Sequence, residues 1–175
     1  KDYIGGKIML VDSMEIKVNK NDAIKHIIRK TPLISKIDQF NRKIEDIHLE
    51  FVEYKVLKYE IISKRKNKNN FRSEEFKDNI IMIVNTYNGH SQSVDKTPKT
   101  IKRYIARSCI KKSNIENNYI IEKVKNEIIN YFDYKIINGS MESRIIKNIK
   151  LLEISSIYKP YWIGNYKGKE IFVDA

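Results

Sequence analysis

Cysteine is nearly missing from this chain: Cys109 stands alone among 175 residues. That excludes an internal disulfide and any cysteine-based zinc site. Proline numbers three and glycine six, too few for a long flexible linker. No P-loop and no Gly-x-Gly-x-x-Gly occurs, and Gly5-Gly6 is too short to cradle a phosphate. Nucleotide binding is therefore disfavoured, and no cofactor is expected. No apolar run approaches the roughly 20 residues that span a bilayer, so no transmembrane segment is expected in this chain. No signal peptide is visible. The chain opens on Lys1 and not on Met, which reads as a chain from which something has been removed and leaves a lost signal or anchor open.

What is present is apolar and basic. Hydrophobic residues make up 41% and charged residues 32%, enough apolar content to fold rather than stay disordered. Ile dominates the first group, and Lys with Asn the polar residues. The net charge of +12 attracts polyanions, acidic proteins and anionic surfaces without specifying any of them.

Three apolar strands end alike: Gly6-Lys-Ile-Met-Leu-Val-Asp-Ser13, Asn79-Ile-Ile-Met-Ile-Val-Asn-Thr86 and Gly168-Lys-Glu-Ile-Phe-Val-Asp-Ala175. Around them, Asn21–Lys30 reads as a helix on Ile24, Ile27 and Ile28, capped by Asn21 or Asp22. Thr31-Pro32 opens a second helix to about Glu45. Glu15–Val18 reads as a short strand, and Ile47–Ser63 as one bent strand with a bulge or as two strands. Phe71–Asp78 reads as a short helical turn. Tyr87-Asn-Gly89 is a turn, with His90–Val94 pairing back. Thr97-Pro98 opens a basic helix over 98–112, and Asn114–Phe132 is a further helix. Met141–Ile149 reads as helical, Leu151–Tyr166 as extended, and Lys169–Val173 as a closing strand. Ile47–Lys55 rhymes with Ile149–Lys159, which suggests an internal repeat. The expected fold is α+β: two related subdomains, 1–96 and 97–175, each with helices packed on a small antiparallel sheet.

The order of helix, antiparallel strands and a Val-Asp-Ala-x-Thr-Gly ending resembles PepSY-type, cystatin-like modules. Val84-Asn-Thr-Tyr-Asn-Gly89 matches that ending with Asn85 in place of Asp. Val173-Asp-Ala175 matches its first three positions, and Val11-Asp-Ser13 lacks the Gly. The resemblance implies a non-enzymatic accessory, inhibitory or binding module outside the cytoplasm. Without it the cytoplasm is the expected compartment.

Candidate chemistry is thin. His26, His48 and His90 form no metal-ligand pattern. His90 beside Ser91 and Ser93 lacks a nucleophile elbow. Cys109 has Arg107, Lys111 and Lys112 nearby in sequence, yet a lone Cys before Ile more commonly packs. No catalytic residue is assigned. Tyr158, Tyr161, Trp162 and Tyr166 form the main aromatic cluster. Alternation places Tyr158, Pro160 and Trp162 on one strand face and Tyr161 on the other. Pro160 removes a ladder donor and points to an edge strand or bulge. The leading function is a non-catalytic module that binds a protein or peptide through this aromatic face or through an edge strand. The alternative is nucleic-acid binding through the basic helix. There Lys99, Arg103, Arg107 and Lys111 would recur every four residues and straddle phosphates.

Overall fold

A computed structural model of the chain describes residues 7–30, 47–65, 74–137, 144–166 and 169–175. The side chains at 28, 30, 133–137, 166 and 169 lie outside the description. The second helix expected after Thr31-Pro32, and residues 71–73 and 138–143, also fall outside it.

The described strands are β1 (Ile8–Ser13), β2 (His48–Arg65), β3 (Glu74–Asn85), β4 (Ser91–Val94), β5 (Ile101–Ala106), β6 (Arg144–Tyr166) and β7 (Lys169–Asp174). Two α-helices are described, α1 (Lys20–Lys30) and α2 (Asn117–Ile137), with a 3₁₀ turn at Arg107–Cys109. The strands join one seven-stranded sheet in the order β4-β3-β2-β6-β1-β5, with β7 also on β6. It is mixed, because β1 runs parallel to β6 while the pairs β1–β5, β2–β3, β3–β4 and β6–β7 are antiparallel. This corrects the expected α+β fold of two related subdomains with helices on small antiparallel sheets. The three Val-Asp/Asn strands are β1, β3 and β7, three differently placed members of one sheet, so they do not support an internal repeat.

The misread segments share a physical cause. Offsets of four residues mark one helix face, but four is even, so they mark one strand face equally well. Ile145 and Ile149 therefore fit β6 as well as a helix. Lys99, Arg103 and Arg107 share parity with Ile101 and Ile105, and this β-branched stretch forms β5. The basic helix 98–112 is thus replaced by a strand and a 3₁₀ turn. Residues 74–78 belong to β3 rather than to a helical turn, and Glu15–Val18 forms no strand. β2 carries no bulge from Tyr54 to Arg65, where it pairs with Asn85 to Glu74 in unbroken register. Its parity shifts arise because Phe51 with Val52, and Val56 with Leu57, are buried on both faces.

Packing divides the chain into two compact units. In the first, residues 1–53, 99–112 and 157–175, α1 is capped by Asn19. Its Oδ1 accepts the Asp22 N–H at 2.9 Å, a geometry that satisfies one orphan helix donor. The Lys25 ammonium beside Asp22, with Asn19, holds that carboxyl below its ordinary value. Ala23 and Ile27 pack with Ile47, Val173 and the flanking Trp162. Gly164 permits the approach, since a Cβ there would lie 3.1 Å from Ile27 Cδ1. A second small cluster gathers Val11, Phe51 and Ile105, with Cys109 and Tyr158 against it.

In the second unit, residues 54–98 and 113–156, α2 lies on the sheet. Ile120, Val124, Ile128 and Phe132 meet Leu57, Tyr59, Ile61, Met82 and Val84 in one core. The 85–90 turn is built on Asn85. Its Oδ1 accepts the Tyr87 and Asn88 N–H groups, and its Nδ2 donates to Tyr54 Oη at 3.0 Å. An ionised carboxylate here could accept but not donate, whereas the amide does both. Gly89 then takes φ +74°, the left-handed region that glycine enters without Cβ strain.

Candidate functional site

β5 has one strand neighbour, β1, among the described residues. The Arg107 N–H donates to Lys7 O at 3.0 Å. That makes Lys7–Arg107 a hydrogen-bonded antiparallel pair, and such pairs alternate with non-bonded ones. The backbone groups of Arg103 and Ile105 therefore turn toward β1, and those of Lys102, Tyr104 and Ala106 turn away from it. The register sets Ile8 opposite Ala106, Leu10 opposite Tyr104 and Asp12 opposite Lys102. These residues occupy one sheet face. Tyr104 is 75% exposed, Ile8 69% and Leu10 52%, while Lys102 Nζ closes on Asp12 Oδ2 at 2.9 Å. Lys99 and Arg107 are exposed on either side of the strand. The opposite face carries Val11 and Ile105 into the core. An apolar outer face thus adjoins outward backbone donors and acceptors, the two elements needed to add a strand.

The aromatic strand is more inward than edge-like. Tyr161 is buried and meets Phe172 edge to face, ring centroids 5.7 Å apart, with Lys159 Nζ 4.9 Å from its own ring centre. Trp162 is half-buried and donates its indole N–H to Val18 O at 2.7 Å. Tyr158 is half-buried in the Val11–Phe51–Ile105 cluster. Burial, and then the charge of Glu53, raise its phenol pKa. The Tyr166 side chain lies outside the described residues. Pro160 does not mark an edge: β6 has β1 and β7 beside it, and the Ala175 N–H donates to Pro160 O. Among the described strands β4, β5 and β7 each have one strand neighbour, and β5 is the one that adjoins the exposed Tyr104–Leu10–Ile8 face.

The polyanion candidates do not line up as one helical face. Arg103 is half-buried, with an Nε that is buried and has no hydrogen-bond partner among the described residues. Lys111 lies 2.5 Å from Glu170 Oε1 and 3.6 Å from Glu50 Oε2, and its Nζ sits 5.7 Å from the Phe172 ring centre. Lys99 and Arg107 remain exposed.

The three histidines stay apart. His26 is exposed on α1, and His48 Nε2 lies 2.8 Å from Glu50 Oε1. His90 gives its backbone N–H to Asn88 Oδ1. Among the described residues no three His, Cys, Asp or Glu side chains converge as a metal site, and no helix is long and apolar enough to cross a membrane. Comparison with protein-family models, curated proteins and solved structures yields no match.

Sequence reasoning missed Tyr104, Leu10 and Ile8. The signal available was the run Ile8-Met-Leu-Val11, whose two faces cannot be told apart without knowing what covers each. Tyr104 was hidden by reading its segment as helix.

Proposed function

We propose that this chain is a non-catalytic binding module that captures an extended segment of a protein or peptide by strand addition along β5. The observation that carries the reading is the exposed Tyr104–Leu10–Ile8 face beside outward backbone groups on a strand with one described neighbour. Main-chain hydrogen bonds would supply affinity, and alternate side chains of the incoming strand would cover Tyr104 and Leu10. Tyr is a favoured anchor because it brings a large amphipathic area with few rotors. Exposed Lys99 and Arg107 at the two ends, on a chain of net charge +12, favour an incoming strand that alternates apolar with acidic residues. The PepSY-like ending supports the same class of accessory module.

Fluorescence anisotropy of a labelled eight-residue peptide alternating Val and Glu tests this. The expected result is saturable binding that weakens with salt and falls about tenfold in Tyr104→Ala, a loss ordinary for an interface anchor. Tyr104→Pro should weaken it further, because it also removes an outward donor. Equal binding by a Val/Lys peptide, or by Tyr104→Ala with an unchanged melting temperature, would reject the β5 site.

A further inference from the structure

A cleft lies between the β3–β4 hairpin and α2. The cleft has a volume of about 630 Å³, inside the range of small-molecule pockets. Its floor is apolar: Met82 and Ile128 belong to the core cluster, and half-buried Ile80 packs against them. A floor shared with the core is held in place by it.

The charges around this cleft run against those of the whole protein. The chain carries 34 Lys and Arg against 22 Asp and Glu, yet the charged residues lining the cleft are Asp95 and Glu127, both acids. Glu127 is fixed at both oxygens. Oε2 accepts the Ser91 hydroxyl at 2.5 Å, and Oε1 lies 3.5 Å from Lys123 Nζ, which also donates to Gly89 O. Lys123 offsets part of the Glu127 charge. Asp95 is exposed and makes no side-chain hydrogen bond or ion pair among the described residues. Tyr131, one helical turn beyond Glu127 and 50% exposed, adds an aromatic face of the kind that attracts cations.

We propose that this cleft binds a small amphipathic amine. Its ammonium group would sit toward Asp95 and the Tyr131 ring, and its hydrocarbon body would lie over Ile80, Met82 and Ile128. The apolar floor selects against bare inorganic cations, and the acidic lining selects against fatty acids and phosphates. The complementarity is of charge and surface together.

Titration calorimetry of the full 175-residue chain with octylamine, octan-1-ol and octanoate tests the assignment. Octylamine is expected to bind at least tenfold more tightly than either analogue. Asp95→Asn, at an exposed position where the fold should not suffer, should weaken octylamine three- to tenfold while leaving octanol unchanged. Ser93→Trp, which fills the cleft from β4, should abolish octylamine binding with the melting temperature retained. Equal affinity for octanol or octanoate would overturn the proposal, as would full octylamine binding by Asp95→Asn or by folded Ser93→Trp.

Discussion

The unit built on α2 and the unit built on β1 and β5 treat their large apolar residues differently. Around α2, the residues facing the sheet are covered to a few per cent: Leu57, Ile61, Ile120 and Val124 have no exposed surface. In the other unit the core is split into two small clusters, and one sheet face leaves Tyr104, Ile8 and Leu10 largely bare. The α2 unit has bare residues of its own, Tyr119 and Tyr131 on α2 and Ile145, Leu152 and Ile154 on β6, so the contrast lies in the size of the cores and in the sheet-edge position of the Tyr104 face. The contrast teaches where stability is concentrated and where binding is to be sought.

Truncations give the largest separation. Leu57→Ala should cost about 2–5 kcal/mol, the usual range for a buried leucine whose cavity cannot collapse. Leu10→Ala should stay within about 0.5 kcal/mol, as at other exposed positions. Urea denaturation of both variants checks this. A Leu10→Ala cost equal to that of Leu57→Ala would mean that the outer face is covered and that the contrast is false.

The glycines sharpen the comparison at smaller scale. Gly89→Ala meets two obstacles, φ +74° and a Cβ 2.8 Å from Ile115 Cδ1. It should destabilise by about 1–2 kcal/mol. Gly164→Ala meets only side-chain tips, with Ile27 Cδ1 at 3.1 Å and Ile47 Cγ1 at 3.3 Å. Those tips can shift, so its cost should be below about 1 kcal/mol. Melting curves in parallel would rank the two, and the reverse order would show that α1 tolerates no displacement.

Titration yields the smallest difference. Burial and then the charge of Glu122 push the Tyr59 phenol up to about 12, and its hydroxyl donates to Ile121 O at 3.2 Å. The unfolded chain releases this proton near 10. Between pH 10 and about 12 the folded state therefore binds more protons than the unfolded state, and stability falls as pH rises. The contribution is fully present below pH 10. Tyr59→Phe should flatten this part of the pH–stability curve by on the order of 1 kcal/mol. An unchanged slope would place the loss elsewhere, with Tyr158 of the other unit the next phenol to replace.

Much of the local structure was legible in the sequence. Ile24, Ile27 and Ile28 announced α1, and the spacing of Ile121, Val124, Ile128 and Phe132 announced α2, although the residue buried in the core at that turn is Ile120, with Ile121 packed partly buried against it. Asn88-Gly89 announced the β3–β4 turn, and the pairing of Tyr161–Tyr166 with Lys169–Asp174 follows the reading of two strands closing the chain. The errors came where periodicity is degenerate. Every fourth residue of 99–107 and of 141–149 satisfies helix and strand alike, and the pairing that decides between them is distant in sequence. β5 is settled by β1, some 90 residues earlier, as in the Lys102–Asp12 pair. The site was less legible than the fold. Tyr158–Trp162 stood out by composition, but the Val18 carbonyl that holds Trp162 lies 144 positions away. Tyr104 stood inside a segment read for its charges, and its exposure depends on register rather than on residue type.

Amide hydrogen exchange at single-residue resolution, with and without the Val/Glu peptide, tests the central claim about β5 most directly. In the free protein Lys102, Tyr104 and Ala106 should exchange quickly, while Arg103 and Ile105 are protected by β1. Peptide at saturation should slow Lys102, Tyr104 and Ala106 at least tenfold and leave the α2 core amides unchanged. Protection of Tyr104 and Ala106 already in the free protein, or no slowing at saturation, would contradict strand addition at this edge.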